Sequence, residues 1–283
     1  MSGKELIKTL KLEKVGERAF CGRNFDIGTK AIFGGHVLAQ SIIAAYKTVP
    51  EGRFIHSLHS YFILPGDPSE DIIYRLDDIR DGGSFSTRRV LAEQKGKTIF
   101  IMAASFQKEE KGYDHQSTMP GVPRPDTLKS FDELKKNLLG LLPKPAKRLL
   151  EVEFPFEFKP VDLSNPMLPG KHDPERKIWI RFREGNDIDR ETCEALLAYV
   201  SDYNLLATAI LPHERATFSN TIIATIDHAM WFHRPFDIGD WILYDVLSPN
   251  AISARGFATG QLFDRNGKLV GSIAQEGLIR PVT

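Results

Sequence analysis

Two stretches of this chain repeat one another. The first runs from an apolar segment, AIFGGHVLAQSIIAAY at 31–46, through HSLHSYFILPGD at 56–67, to STRRVLAEQ and TIFIMAASFQ joined by KGK. The second runs from CEALLAYVSDYNLLATAI at 193–210, through DHAMWFHRPFDIGD at 227–240, to SARGFATGQLF and LVGSIAQEGLI joined by DRNGK. Pairing Gly35 with Ser201, Pro65 with Pro235, Arg88 with Arg255 and Gly96 with Gly267 gives separations of 166 to 171 positions. So steady an offset is the mark of a duplicated module. Ten of the 17 prolines fall between Pro120 and Pro174, so the modules are expected at 1–115 and 176–283, joined by a Pro-rich crossover at 116–175. That crossover carries one helix, SFDELKKNLLGLL at 130–142, opened by a Ser130/Glu133 capping box.

Each module opens with a helix that is apolar nearly all round. In the second, Leu196, Val200, Tyr203, Ala207 and Ile210 form one stripe, while Ala198, Leu205, Leu206 and Ala209 cover other sides. A helix without a polar face is a buried helix. The segments after it mostly alternate and favour β-branched and aromatic residues, as strands do. An antiparallel sheet wrapped around a central helix, built twice, meets both demands. The expectation is an α+β double hotdog.

Burial makes two polar side chains expensive. Asp202 falls inside the apolar second helix, where a lone carboxylate costs several kcal/mol unless it is hydrogen-bonded or protonated. It either caps a backbone amide at a frayed helix end or lines a cleft and acts on water or substrate. Gln275 falls on the apolar, odd-numbered face of LVGSIAQEGLI, either as a satisfied core amide or as a site residue. In TIIATIDHAMWF, Thr225 shares the odd face with Asp227 if the strand is regular, and a bulge would change that. His228 and His233 read as packing or strand-end hydrogen bonds. The repeat alignment sets Asp202 opposite His36 and Gln275 opposite Ala104, so the polar groups are not duplicated with the scaffold.

Composition excludes several classes. Lys plus Arg and Asp plus Glu are 37 each, so no charge excess argues for nucleic acid. No run is long enough for membrane insertion, and MSGKELIKTL has no signal-peptide core, so the expected compartment is the cytoplasm. The final RPVT is no peroxisomal address. Cys21 and Cys193 form no redox or metal pair, the histidines lack ligand spacing, and no metal or cofactor is called for.

FGGHVLAQ, HSLHSYFILPGD, RDGGSFSTRRV, MAASFQ, HQSTMP, SDYN, ATIDHAMWFHRPF, SARGF and AQEGLIR, in that order, resemble the bacterial and peroxisomal acyl-CoA thioesterase II family. The resemblance implies hydrolysis of fatty acyl-CoA, with a catalytic trio falling on Asp202, Thr225 and Gln275, and a dimer or tetramer of the double module. His36 departs from it, since the family more often has Gln there. In the implied mechanism Asp202 activates a water held by Thr225 and Gln275, without a nucleophilic side chain. Gly34, Gly35 and His36, which open the first central helix, are candidates for binding the substrate at a helix N-terminus. Arg88, Arg89 and Arg255 are candidates for the coenzyme A phosphates, each equally readable as a solvated or ion-paired arginine. Phe33, Met230 and Trp231 are candidates for setting the depth of an acyl tunnel. Two other readings are an acyl-CoA-binding protein without turnover and an enoyl-CoA hydratase. Hydratase hotdogs carry Asp-x-Asn-Pro followed by His, and here Leu205 and Leu206 stand where the Pro and His would be. No G-x-S-x-G elbow is present for serine catalysis.

Overall fold

The structure, a computed structural model, describes residues 2–24, 31–138, 154–162, 164, 166–185 and 187–282. Two buried helices, α2 (Gly34–Tyr46) and α4 (Arg190–Ser201), pack against each other inside one continuous antiparallel sheet. The first module supplies β1 (Glu13–Gly16), β2 (Ala19–Gly22), β3 (Arg53–Phe62), β4 (Ile72–Asp81), β5 (Phe85–Gln94) and β6 (Lys97–Lys108). The second supplies β8 (Glu175–Phe182), β9 (Thr221–Thr225), β10 (Asp227–Phe232), β11 (Ile242–Ile252), β12 (Arg255–Asp264) and β13 (Leu269–Pro281). Along the sheet the order is β1-β2-β4-β5-β6-β3-β10-β13-β12-β11-β8-β7, where β7 is Phe156–Pro160 and β9 pairs β13 off the main path. The order reads the same from either end once β3 is matched with β10, β6 with β13 and β5 with β12. That pseudo-twofold arrangement is the double hotdog. A short α1 (Gly3–Thr9) precedes the first module. Between the modules lie a 3-10 turn (Pro125–Thr127) and α3 (Phe131–Leu138). The capping box of α3 is formed, with Glu133 N–H donating to Ser130 Oγ at 3.2 Å and Ser130 N–H to Glu133 Oε2 at 2.7 Å. Residues 139–142, also expected in that helix, lie outside the described residues. No helix among the described residues is long and apolar enough to cross a membrane.

Both central helices are sealed, as their composition demands. Val37, Leu38, Ala39, Ile42, Ala44 and Ala45 of α2 and Ala195, Leu196, Leu197 and Ala198 of α4 are all buried in one core. The helices run antiparallel. Gly35, near the start of α2, lies against the Tyr199 carbonyl near the end of α4, where a β-carbon would stand 2.1 Å from that oxygen. At the other end Tyr46 O–H donates to the Glu194 carboxylate. Only a residue without a side chain lets the first turn of α2 lie on the last turn of α4.

One sequence expectation fails here. The second helix does not continue to 210: it stops at Ser201, Asn204 takes a left-handed φ of 62°, and a separate 3-10 helix follows over Leu206–Ile210. The strands keep an offset of 170, as from Ile72 to Ile242 and from Gln94 to Asp264, but the helices start at Gly34 and Arg190, 156 apart. The inserted residues lie between helix and hairpin in the second module. Pairing Gly35 with Ser201 therefore matched the start of one helix to the end of the other. Asp202, the C-cap of α4, is the counterpart of Lys47, the C-cap of α2, and not of His36. The pairing of Gln275 with Ala104 stands, because Ala258 faces Gln275 in one module as Arg88 faces Ala104 in the other.

Candidate active site

Asp202 is set where its own helix ends and the other begins. A carboxylate at a helix C-terminus faces the negative end of that helix, which is unfavourable by itself. Here the N-terminus of α2 offsets it: the Gly35 amide hydrogen-bonds the carboxyl, and Phe33 at the N-cap provides no side-chain acceptor to compete. Asp202 thus caps a backbone amide at a helix end, as one reading expected, with the capped amide belonging to the neighbouring helix. Tyr244 O–H donates to the Ser201 carbonyl at 2.7 Å and pins the last turn of α4 from below.

Thr225 reaches the same place through a bulge. Across β13, Ala229 faces Ala274 while Thr225 faces Gly277, so four residues on one strand span three on the other. The extra residue turns Thr225 onto the inward face, which it shares with buried His228 and Met230 rather than with Asp227. Asp227 stays near the surface and accepts the Glu276 amide at 2.8 Å. Gln275 needs no such device. Simple alternation points it inward, where it is 1% exposed.

The three side chains meet. Thr225 O–H donates to Asp202 Oδ1 at 3.1 Å; Gln275 Nε2 donates to the same oxygen at 3.1 Å and to Thr225 Oγ1 at 2.8 Å. Loss of solvent around the carboxyl outweighs these donors and raises the Asp202 pKa to about 6. It is thus ionised at neutral pH yet far more basic than an ordinary carboxylate, the poise a general base needs. Gln275 is sealed, whereas Asp202 and Thr225 are half-buried residues.

The other sequence candidates divide. Gly34 lies against the trio: a β-carbon there would come within 2.6 Å of Asp202 Oδ2 and 2.8 Å of the Phe62 ring. His36 is buried, with Nε2 3.3 Å from the Arg23 carbonyl oxygen and burial lowering its pKa to about 4. Arg88 must be corrected. It is fully buried, and its guanidinium is consumed by Asp78, Asp81, the Thr48 hydroxyl and carbonyl, and the Arg80 and Thr87 carbonyls, leaving no donor for a phosphate. Arg89 pairs with Asp77 at the surface. Trp231 is also corrected: it lies on the outer face of β10 with its ring edge-to-face to His59, while Met230 points into the core. Arg255 starts β12 on that same outer side, exposed and paired with Glu276. Phe33 packs edge-to-face on Tyr199 beside the first turn of α2. Leu205 and Leu206 are core residues, and no second proton-transfer group stands in their place.

His228 has more structure around it than its sequence suggested. It is fully buried, with Nδ1 2.8 Å from Gln275 Oε1 and Nε2 3.0 Å from Ser201 Oγ. The available signal was its position as the one polar residue on the inward face of β10.

The chain is similar to known proteins over nearly its whole length. The sequence profile described as acyl-CoA thioesterase matches residues 145–278, and that of the acyl-CoA thioesterase N-terminal domain matches 23–107. Acyl-CoA thioesterase 2 of Haemophilus influenzae is 41% identical over 276 residues, covering 97% of this chain and 96% of its own. The chain belongs to the acyl-CoA thioesterase family. Acyl-coenzyme A thioesterase 8 of Homo sapiens is 39% identical, over 96% of this chain and 87% of its own. Among solved structures, the acyl-CoA thioesterase II TesB2 from Mycobacterium marinum superposes with a TM-score of 0.80 at 35% identity, covering 98% of this chain and 99% of that one. A hot dog protein from Alicyclobacillus acidocaldarius, 18% identical with a TM-score of 0.79 and covering 99% of both chains, shares the fold.

Proposed function

We propose that this chain hydrolyses fatty acyl-CoA to free acid and coenzyme A, with Asp202 as the base that activates water. The observation carrying the reading is one carboxylate of raised pKa, held by Thr225, Gln275 and the first turn of α2 at a partly open position. Membership of the family supports the substrate class. Water held between Asp202 and Thr225 gives its proton to Asp202 and attacks the thioester carbon. The developing oxyanion meets the positive end of α2, beside Gly34, which has no side chain to keep the carbonyl away. The C–S bond then breaks, and the departing thiolate is stable enough to leave without a strong acid. Gly34 makes the approach, with the Phe62 ring beside it and Phe33 beside Gly35.

Two further expectations belong with this reading. The chain associates with copies of itself, since large apolar side chains such as Tyr61 and Ile79 are exposed. It works in a reducing cytoplasm, where Cys21 and Cys193 remain free thiols.

The test is free thiol release from acyl-CoAs of short, medium and long chain. Turnover of at least one series member supports the reading. Tight binding with no thiol released at any chain length would replace it with an acyl-CoA-binding protein.

A further inference from the structure

The buried imidazole of His228 has no part in the mechanism above, yet it touches one of its members. Gln275 can be placed in its pocket in two ways, because an amide can be flipped. Only one of them is compatible with an ionised Asp202: Nε2 must face the carboxylate, since the opposite choice would set two oxygens 3.1 Å apart with no proton between them. Gln275 Oε1 then faces His228 Nδ1 at 2.8 Å, so Nδ1 must carry the hydrogen. A neutral imidazole has one N–H, and Nε2 is left as an acceptor. The group beside it is the Ser201 hydroxyl, at 3.0 Å, which it shares with the Ala198 carbonyl at 2.9 Å. Ser201 precedes Asp202, so the chain of contacts closes on itself.

We propose that Ser201 and His228 are positioning residues that fix the Gln275 amide with its nitrogen toward Asp202 and Thr225. The imidazole is neutral in the fold, since complete burial lowers its pKa to about 4. Without the Nδ1 donor, the Gln275 amide loses the partner that distinguishes its two ends. Part of the population then turns its oxygen to Asp202 and no longer holds Asp202 and Thr225 in place for the water between them. The proposal rests on the Asp202-centred reading above.

The test compares His228→Leu with His228→Asn, whose side-chain amide supplies an N–H close to where Nδ1 stood. With acyl-CoA substrate, His228→Leu is expected to lose about 10- to 100-fold in kcat with KM within about threefold, the scale on which outer partners that orient a functional group act. His228→Asn is expected to recover most of that loss. A residue that merely packs would reverse the order, because Leu suits a buried site better than Asn, and melting temperatures measured alongside would follow activity. The double variant His228→Leu/Gln275→Ala is expected to be no slower than Gln275→Ala alone. Independent, multiplying losses would overturn the proposal, as would a His228→Leu enzyme within threefold of wild type. If His228→Leu does not fold, Ser201→Ala replaces it: kcat about 3- to 10-fold down is expected, and an unchanged kcat overturns the proposal. Wild-type activity in Gln275→Ala and Asp202→Asn would instead sink the reading on which this one rests, whatever His228 does.

Discussion

Gly34 stands so close to Asp202 that a methyl group on its α-carbon would lie 2.6 Å from the carboxylate oxygen Oδ2. The start of one helix and the end of the other thus share a space that has no room for a side chain. Asp202 is held on Oδ1 by Thr225 and Gln275, and the Phe62 ring stands 2.8 Å from where that same methyl group would be.

Gly34→Ala therefore has to displace either the carboxylate or the ring. Overpacking of this kind costs about 1–3 kcal/mol. A catalytic group misplaced by about 1 Å can cost 100-fold in rate. The variant is expected to fold with a modestly lower melting temperature and to lose at least about tenfold in kcat. Undiminished turnover would show that the first turn of α2 does not border the reacting atoms.

As the proposed base, Asp202 is expected to set the pH dependence. With a pKa of about 6 in the fold, kcat/KM should fall tenfold per unit as pH drops below that value. The stability sign is opposite. The folded value lies above the ordinary 3.8, so folding favours the protonated form: the group's contribution is complete below about 3.8 and lost as pH rises through about 6. The loss is at most about 3 kcal/mol, reduced because Asp202 remains partly open. Asp202→Asn should accordingly melt higher than wild type at pH 7, with the gap closing toward pH 4. Scanning fluorimetry at both pH values reads this directly, and a variant less stable at pH 7 would contradict it.

Arg88 is expected to matter for stability and not for coenzyme A. Arg88→Ala empties a fully buried position and removes its ion pairs with Asp78 and Asp81, and should cost about 3 kcal/mol or more. KM of the folded fraction should not change. A raised KM without a lower melting temperature would return Arg88 to the substrate.

The opposite ends of the two helices hold Tyr46 and Glu194. Tyr46 O–H donates to Glu194 and accepts the Ile55 amide at 2.8 Å, while burial raises the Glu194 pKa to about 7. Tyr46 is twelve residues along α2 from Gly34, roughly 18 Å at the helical rise. Tyr46→Phe takes this acceptor from the Ile55 amide and leaves Glu194 with Arg190 alone, and should cost about 1–3 kcal/mol with kcat unchanged. A fall in kcat without a fall in stability would contradict the separation of the two ends.

Local patterning reached some of these features and not others. Gln275 was legible because β13 alternates without interruption, so an amide among Ile273, Gly277 and Ile279 has to face inward. The all-round apolar character of the α2 and α4 segments dictated their burial in the same way. Thr225 was legible only as a polar residue on an uncertain face, since a single bulge decides its direction and bulges leave little trace in composition. The end of α4 was hidden because Leu205 to Ile210 continue an apolar pattern that a 3-10 helix uses equally well. That error carried the repeat alignment to His36. Arg88 and Trp231 were misplaced for a different reason: their partners, Asp78 and Asp81 in one case and His59 in the other, come from strands whose pairing only the folded sheet defines.

The most direct test of the central claim is kcat/KM for thiol release by Asp202→Asn beside wild type, on the best acyl-CoA substrate at pH 8. The change keeps size and removes only the charge, and loss of a general base costs about 100- to 10,000-fold. A loss within that range, in a variant at least as stable as wild type, is the result predicted. A folded Asp202→Asn enzyme hydrolysing the substrate at the wild-type rate would contradict it.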